Sequence, residues 1–145
     1  MGKRLHHYLI EASGAHYKRS RQELQALDLS PGQPKVLAFL NENEGCSQKE
    51  LAEQCRVEPA TMTILLRNMS HKGLIKKTAA NLACGKRAFI ITLTELGREK
   101  AEHTAGIMDA LEQVCYTGFS EQEKETLCQL LQRVTDNLMG QSQDS

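Results

Sequence analysis

Met62, Leu65, Leu66 and Met69 recur at the i, i+3, i+4 and i+7 steps of a single helical face. Just upstream, Leu51, Ala52 and Cys55 form a shorter apolar face, and Arg56-Val57-Glu58-Pro59 parts the two runs. Pro59 disfavours helix at Glu58 yet suits the first turn of a new helix. Ser47 and Glu50 have capping-box spacing, so the serine oxygen and the Glu50 backbone N–H can satisfy one another where the first helix begins. Lys72-Gly73 supplies a stop, a cation in the last turn followed by a residue that accepts the left-handed cap. Residues 47–75 therefore predict a short helix, a tight turn and a longer helix. The period then changes. Leu74 to Thr78 predicts a short strand and Ala79 to Gly85 a loop of small residues. Lys86-Arg87 leads into the β-branched and aromatic run Ala88 to Leu93. The outcome is a β-hairpin with a basic tip behind a helix-turn-helix.

The flanks are helical. Residues 3–26 predict an N-terminal helix whose face, built on Leu5, Leu9 and Ala12 with polar interruptions, is only moderately apolar. Ser30-Pro31-Gly32-Gln33 has the spacing of a second capping box with Pro31 at the first helical position, and Val36, Leu37 and Leu40 face inward behind it. Thr94 opens a long helix to about Cys115, with Leu96, Ile107, Leu111 and Val114 near one stripe and His103 within it. Ser120 and Glu123 form a third box, ahead of the amphipathic series Leu127, Leu130, Leu131, Val134 and Leu138. Residues 141–145 read as a polar, frayed tail. The fold class expected is mainly α with a small β wing. Residues 1–145 are expected to form one domain, with a winged helix-turn-helix lobe at 30–93 and a helical lobe from 1–28 and 94–140. The long amphipathic helices need cover that one small lobe cannot supply, so a homodimer is expected.

The outward face of the second helix carries the chemistry. Opposite the Met62 stripe lie Ala60, Ile64, Arg67 and His71, flanked by Thr61 and Thr63, and no acid interrupts them. Hydroxyls and an arginine can meet base edges and phosphates, and Ala60 and Ile64 can meet a thymine methyl. On shape alone, an ordinary solvated helix pair in an all-α domain accounts for the same residues. The basic hairpin favours the nucleic-acid reading, with a helix in the major groove and the wing arginine in the minor groove.

Composition adds two constraints. Net charge is zero, which looks wrong for a DNA binder until it is divided along the chain. Residues 46–93 hold eight Lys/Arg and three Glu, a net of +5, whereas residues 94–145 hold four Lys/Arg and ten acids, a net of −6. Phosphate responds to the local field, since charges beyond about 10 Å are screened. Five cysteines without a C-x-x-C pair argue against a disulfide framework and a cysteine zinc site. No apolar run approaches the roughly 20 residues that span a bilayer, and the N-terminus lacks a secretion signal. A cytoplasmic location and no membrane association are expected.

The ordered segments LSPGQPKVLAFL (29–40), SQKELAEQCRVEPATMT (47–63), KGLIKK (72–77) and KRAFIITLTELG (86–97) resemble the MarR family of bacterial transcriptional regulators. The set spans the middle half of the chain, and the flanking helices fit the same pattern. The resemblance implies sequence-specific binding of double-stranded DNA by a dimer, typically repression relieved by a ligand, with the N-terminal helix in the dimer lobe. Ser47, Gln48 and Lys49 sit at a helix N-terminus, a natural phosphate site, and a plain cap or solvated role accounts for each of them equally well. The resemblance puts Ala60, Thr61, Thr63, Ile64 and Arg67 on the reading helix, and Lys86 and Arg87 on the wing. Three positions depart from the family: Ile64 where Arg is frequent, Arg67 where Asp is frequent, and Gly85 where Asp usually precedes the basic pair. The acid–base pairs that brace the family's wing are therefore absent, and a different DNA preference follows.

The resemblance also implies a small-molecule effector cleft, for which His16, Tyr17 and Leu37 are the candidates; core packing accounts for each of them equally simply. Peroxide-sensing relatives use a cysteine near the N-terminus, and none precedes Cys46 here. Cys84 is expected at an exposed wing tip, where oxidation would disturb DNA contact; an incidental surface thiol is the plainer reading. The pairs His6-His7 and Glu102-His103 diverge on a helix, so no metal site is expected. Neither catalytic residues nor a cofactor are expected, since Gly-rich phosphate loops, H-E-x-x-H and G-x-S-x-G are missing. The rival to a DNA-binding regulator is a winged-helix module that binds another protein.

Overall fold

In the computed structural model, residues 2–43, 45–81 and 83–140 are described. The elements run α1 (Leu5–Leu24), a 3-10 turn (Gln25–Leu27), α2 (Gln33–Glu42), α3 (Gln48–Cys55), α4 (Pro59–His71), β1 (Ile75–Asn81), β2 (Arg87–Leu93), α5 (Glu95–Cys115) and α6 (Glu121–Gly140). The mainly α fold with a two-stranded wing expected from the pattern is the one observed. The chain divides into two compact units, residues 1–109 and 110–145, and each is taken by itself.

In the first unit, the core gathers Val36, Leu37 and Leu40 of α2, Leu51, Ala52 and Cys55 of α3, and Met62, Leu66 and Met69 of α4. Leu74, Ile75, Ile91 and Leu93 close it from the hairpin, and Ala101 from α5. Met62 and Met69 are fully buried, as a stripe at 3.6-residue spacing requires. Ser47 Oγ accepts the Glu50 N–H at 3.1 Å, which fixes the start of α3. Ser47→Ala should cost about 1 kcal/mol, read as a lower urea midpoint with an unchanged m-value.

The second expected box forms differently. Gly32, at φ 92, caps α2 without a side chain, and the helix starts at Gln33, with Pro34 in its first turn. Gln33 Oε1 still accepts the Ser30 N–H at 3.1 Å, so half of the box survives ahead of the helix. A Cβ on Gly32 would lie 3.1 Å from Leu65 Cδ1; this close approach to α4, with the left-handed backbone, displaces the start from the position Pro31 suggested. The N-terminal helix, expected over 3–26, ends at Leu24 and tightens into the 3-10 turn.

The hairpin is longer than its sequence suggested. Ala79, Ala80 and Asn81, expected in the loop, pair with Phe89, Ala88 and Arg87. Cys46 adds a bridge to Ile91, with N–H···O bonds of 3.3 and 2.9 Å.

The inward face of α5 also differs. Gly97, Ala101 and Thr104 are buried, while Leu96 and Val114, expected on the inner stripe, are 43% and 48% exposed. His103 is exposed as well. Small residues bring the helix against backbone: a Cβ on Gly97 would lie 1.9 Å from the Leu74 carbonyl oxygen. Thr94 locks the junction. Its Oγ1 accepts the Gly97 N–H at 3.0 Å and donates to the Gly73 carbonyl, and its own N–H donates to Leu74 O at 3.0 Å.

In the second unit, the third capping box is complete. Ser120 Oγ accepts the Glu123 N–H at 3.1 Å, and Glu123 Oε1 accepts the Ser120 N–H at 2.9 Å. The Tyr116 hydroxyl and Cys128 Sγ are hydrogen-bonded at 3.0 Å. No residue of α6 is buried, and Leu127, Leu130, Leu131 and Leu138 are exposed. The tail read at 141–145 lies outside the described residues.

Candidate nucleic-acid interface

With the Met62 stripe turned into the core, the opposite side of α4 is left outside. Ala60, Thr61, Thr63, Ile64 and Arg67 are all exposed, Ile64 to 50%. The open half of the Ile64 side chain is available to a partner. Of the three residues at the start of α3, Lys49 is exposed, while Ser47 and Gln48 are half-buried. The Ser47 oxygen is engaged by the cap, and Gln48 is engaged elsewhere.

Gln48 ties three elements together. Its Nε2 donates to Thr63 Oγ1 at 2.8 Å, and that hydroxyl donates to the Pro59 carbonyl at 3.1 Å. From the hairpin, Lys77 Nζ donates to Gln48 Oε1 at 3.4 Å. The chain Lys77–Gln48–Thr63 therefore links β1, α3 and α4 without a carboxylate. The hairpin is thus tied to both helices although the acid–base pairs expected of the family are missing at Ile64, Arg67 and Gly85. The sequence did not reveal this tie, because Gln48 and Thr63 are fifteen positions apart and neither carries charge.

The hairpin presents two different faces. Register partners share a side, so Ile75/Leu93, Lys77/Ile91, Ala79/Phe89 and Asn81/Arg87 lie on one face. Its base is core: Ile75, Ile91 and Leu93 are buried. Its outer half is exposed, and Lys77 joins it to the α3–α4 side through Gln48. Lys86 sits in the connecting loop after Gly85, which adopts φ 86, and Arg87 opens β2. Between Pro59 and Thr94 the chain has six Lys/Arg and no acid. Neither Arg67, Lys86 nor Arg87 forms an ion pair among the described residues. Helix face and wing thus make one cationic surface with unengaged donors.

The sequence profile of the MarR family matches residues 29–81, the stretch that builds α2, α3, α4 and β1. Over a longer span, the HTH-type transcriptional regulator YybA of Bacillus subtilis is 31% identical over 126 residues, covering 82% of this chain and 78% of that protein. The chain belongs to the MarR family. It is a DNA-binding transcriptional regulator, not an enzyme. Another relative, the HTH-type transcriptional repressor IacR of Pseudomonas putida, is 26% identical over 132 residues, covering 91% of this chain and 78% of that one. The crystal structure of the S. aureus MepR–DNA complex matches the fold with a TM-score of 0.84, over 94% of this chain and 99% of that one, at 23% identity.

A cavity of about 640 Å³ opens beside α1 in this MarR-family chain. His16 and Tyr17 line it, with Ser13, Arg21, Leu29 and Lys35. Leu37, the third candidate, does not: it is fully buried in the core, where its aliphatic chain is spent on packing. Arg21 and Lys35 were not singled out in the sequence, because nothing in helical spacing marks which solvated cations border a hollow. No helix of the described residues is long and apolar enough to cross a membrane.

The cysteines separate by environment. Burial pushes the Cys46 and Cys55 thiols above their ordinary range, and Glu50 adds to the effect at Cys46. Cys84 is exposed. Since the thiolate is the reactive form, iodoacetamide at pH 8 should label Cys84 in the native chain and reach Cys46 and Cys55 only on unfolding. Peptide mass spectrometry reads this directly; labelling of Cys46 at the Cys84 rate would contradict the packing described here.

Proposed function

We propose that this regulator works as a homodimer that represses transcription by binding a palindromic DNA site, and that a small ligand relieves it. The observation that carries the reading is the shared cationic surface of α4 and the wing, free of acids from Pro59 to Thr94. In this reading residues 30–93 are the DNA lobe, and residues 1–28 with 94–140 are the helical lobe. Ala60, Thr61, Thr63, Ile64 and Arg67 face the major groove, and Lys86 and Arg87 enter the minor groove beside it. Ser47, Gln48 and Lys49 lie along phosphate at the N-terminus of α3, with Gln48 also positioning Thr63. The dimer is supported by apolar surface with no cover in the single chain: Leu5, Leu9 and Ile10 on α1, and Leu127, Leu130 and Leu131 on α6. Repression is supported by the likeness to a repressor, and ligand relief by the cavity that His16 and Tyr17 line. A ligand seated there would act by favouring a conformation that fits DNA less well.

Selection of bound duplexes from random DNA tests this, combined with light scattering of the free protein. The expected motif has two-fold symmetry, with half-sites about one helical turn apart. An asymmetric motif, or a monomer at micromolar concentration, would remove the dimeric reading.

A further inference from the structure

Phe89 is 65% exposed, on the outer half of the same hairpin face as Lys77 and Arg87. Its register partner is Ala79, whose small side chain covers little of the ring. An isolated exposed apolar residue is ordinary. This one stands between two cations, on a surface with no carboxylate within its own segment. Lys77 hydrogen-bonds to Gln48, which holds Thr63 of α4, so the face bearing Phe89 is continuous with the face of the reading helix. Charge complementarity selects a polyanion as the occupant.

We propose that Phe89 is a DNA contact, its ring lying against the deoxyribose edges of the backbone that passes between α4 and the wing. The inference rests on the DNA-facing assignment of the wing made above. Position along the strand decides which part of DNA the ring meets. Phe89 lies two residues in from Arg87, roughly 7 Å back from the wing tip at strand rise. A guanidinium at the tip can extend into the groove, whereas a ring set that far behind it meets the groove wall. That wall offers apolar sugar carbons between phosphates, and its backbone is where protein contacts set register on the duplex. The contact adds affinity without neutralising charge. It therefore differs from the arginine beside it in one measurable respect: it releases no counterions.

The experiment uses a 30-base-pair duplex recovered from random DNA with the wild-type chain, with affinity followed by fluorescence anisotropy over a salt series. Phe89→Ala should weaken binding about tenfold, the scale of a well-packed aromatic at an interface, with the slope of log K against log salt unchanged. Phe89→Leu should restore most of the affinity. Arg87→Ala should instead make that slope shallower by about one. Full affinity in Phe89→Ala, with loss in Arg87→Ala, overturns this proposal and leaves the wing assignment standing. Full affinity in both, or recovery of no duplex at all, removes the wing assignment and the proposal together. Loss in Phe89→Ala that Phe89→Leu fails to rescue, or that comes with a changed salt slope, also overturns it.

Discussion

Arg87→Ala is expected to weaken DNA binding by roughly ten- to a hundredfold near physiological salt, the loss of one charge-assisted contact worth about 1.5–3 kcal/mol. The size follows from how the residue is held. Arg87 begins β2, pairs with Asn81 across the hairpin and is exposed. The strand pair fixes its backbone, while no acid of the described residues competes for its guanidinium. A cation placed in this way has an ordered backbone beneath it and no internal ion pair to break before it reaches a phosphate or a narrow groove. Each phosphate neutralised contributes about 0.9 to the salt slope on duplex DNA, so one contact should be visible as a shallower line. Arg87→Lys should keep the slope and recover only part of the affinity, because an ammonium lacks the planar fork. Anisotropy titrations at four or five salt concentrations separate the two variants. An unchanged slope in Arg87→Ala would mean that Arg87 neutralises no phosphate.

Gly97→Ala is expected to destabilise the fold by about 3 kcal/mol or more, a large share of the 5–15 kcal/mol that a domain has in total. Inside a helix this exchange ordinarily stabilises, by about 0.5–1 kcal/mol. Here the added methyl would stand 1.9 Å from the Leu74 carbonyl oxygen and 3.2 Å from Leu93 Cδ2. Backbone cannot swing aside as a side-chain terminus can. That carbonyl also accepts the Thr94 N–H, so moving it loosens the start of α5 as well. Gly106 is the control. It lies on the same helix, and a Cβ there meets nothing within 4 Å, so Gly106→Ala should stabilise by up to about 1 kcal/mol. Urea unfolding of the two variants should give shifts of opposite sign. A neutral Gly97→Ala would show that α5 does not sit against the Leu74 carbonyl.

These two positions also show what the sequence made legible. Met62, Leu65, Leu66 and Met69 announced the buried side of α4 because one helix carries the whole pattern. The outward residues Thr61, Thr63, Ile64 and Arg67 then followed by subtraction. Leu96 and Val114 misled, since size was taken as the mark of the inner face. Where a helix lies on backbone, the inner face is marked by smallness, as at Gly97, Ala101 and Thr104, while Ile107 of the expected stripe packs on the core and Leu111 is buried. Ala79 to Asn81 misled for another reason. Their strand propensity is weak, and pairing with Phe89, Ala88 and Arg87 overrides it. His16 and Tyr17 line a cavity beside α1, but Leu37 went to the core, because an apolar residue on an amphipathic helix carries no sign of which hollow it borders. The Gln48–Thr63 bond was out of reach altogether, since uncharged partners far apart in sequence leave no periodic trace.

That bond bears on how salt experiments with this protein are interpreted. Where a wing is tethered to its helix by oppositely charged side chains, added electrolyte softens the protein's own scaffold as well as its grip on nucleic acid, and the two effects arrive merged in one curve. Here the amide–hydroxyl link between Gln48 and Thr63 is electrically neutral, and the Lys77 end of the chain rests on an amide oxygen. Ionic strength screens attraction between net charges far more than it weakens a dipolar contact of this kind. The steepness measured for this regulator should therefore count phosphates alone.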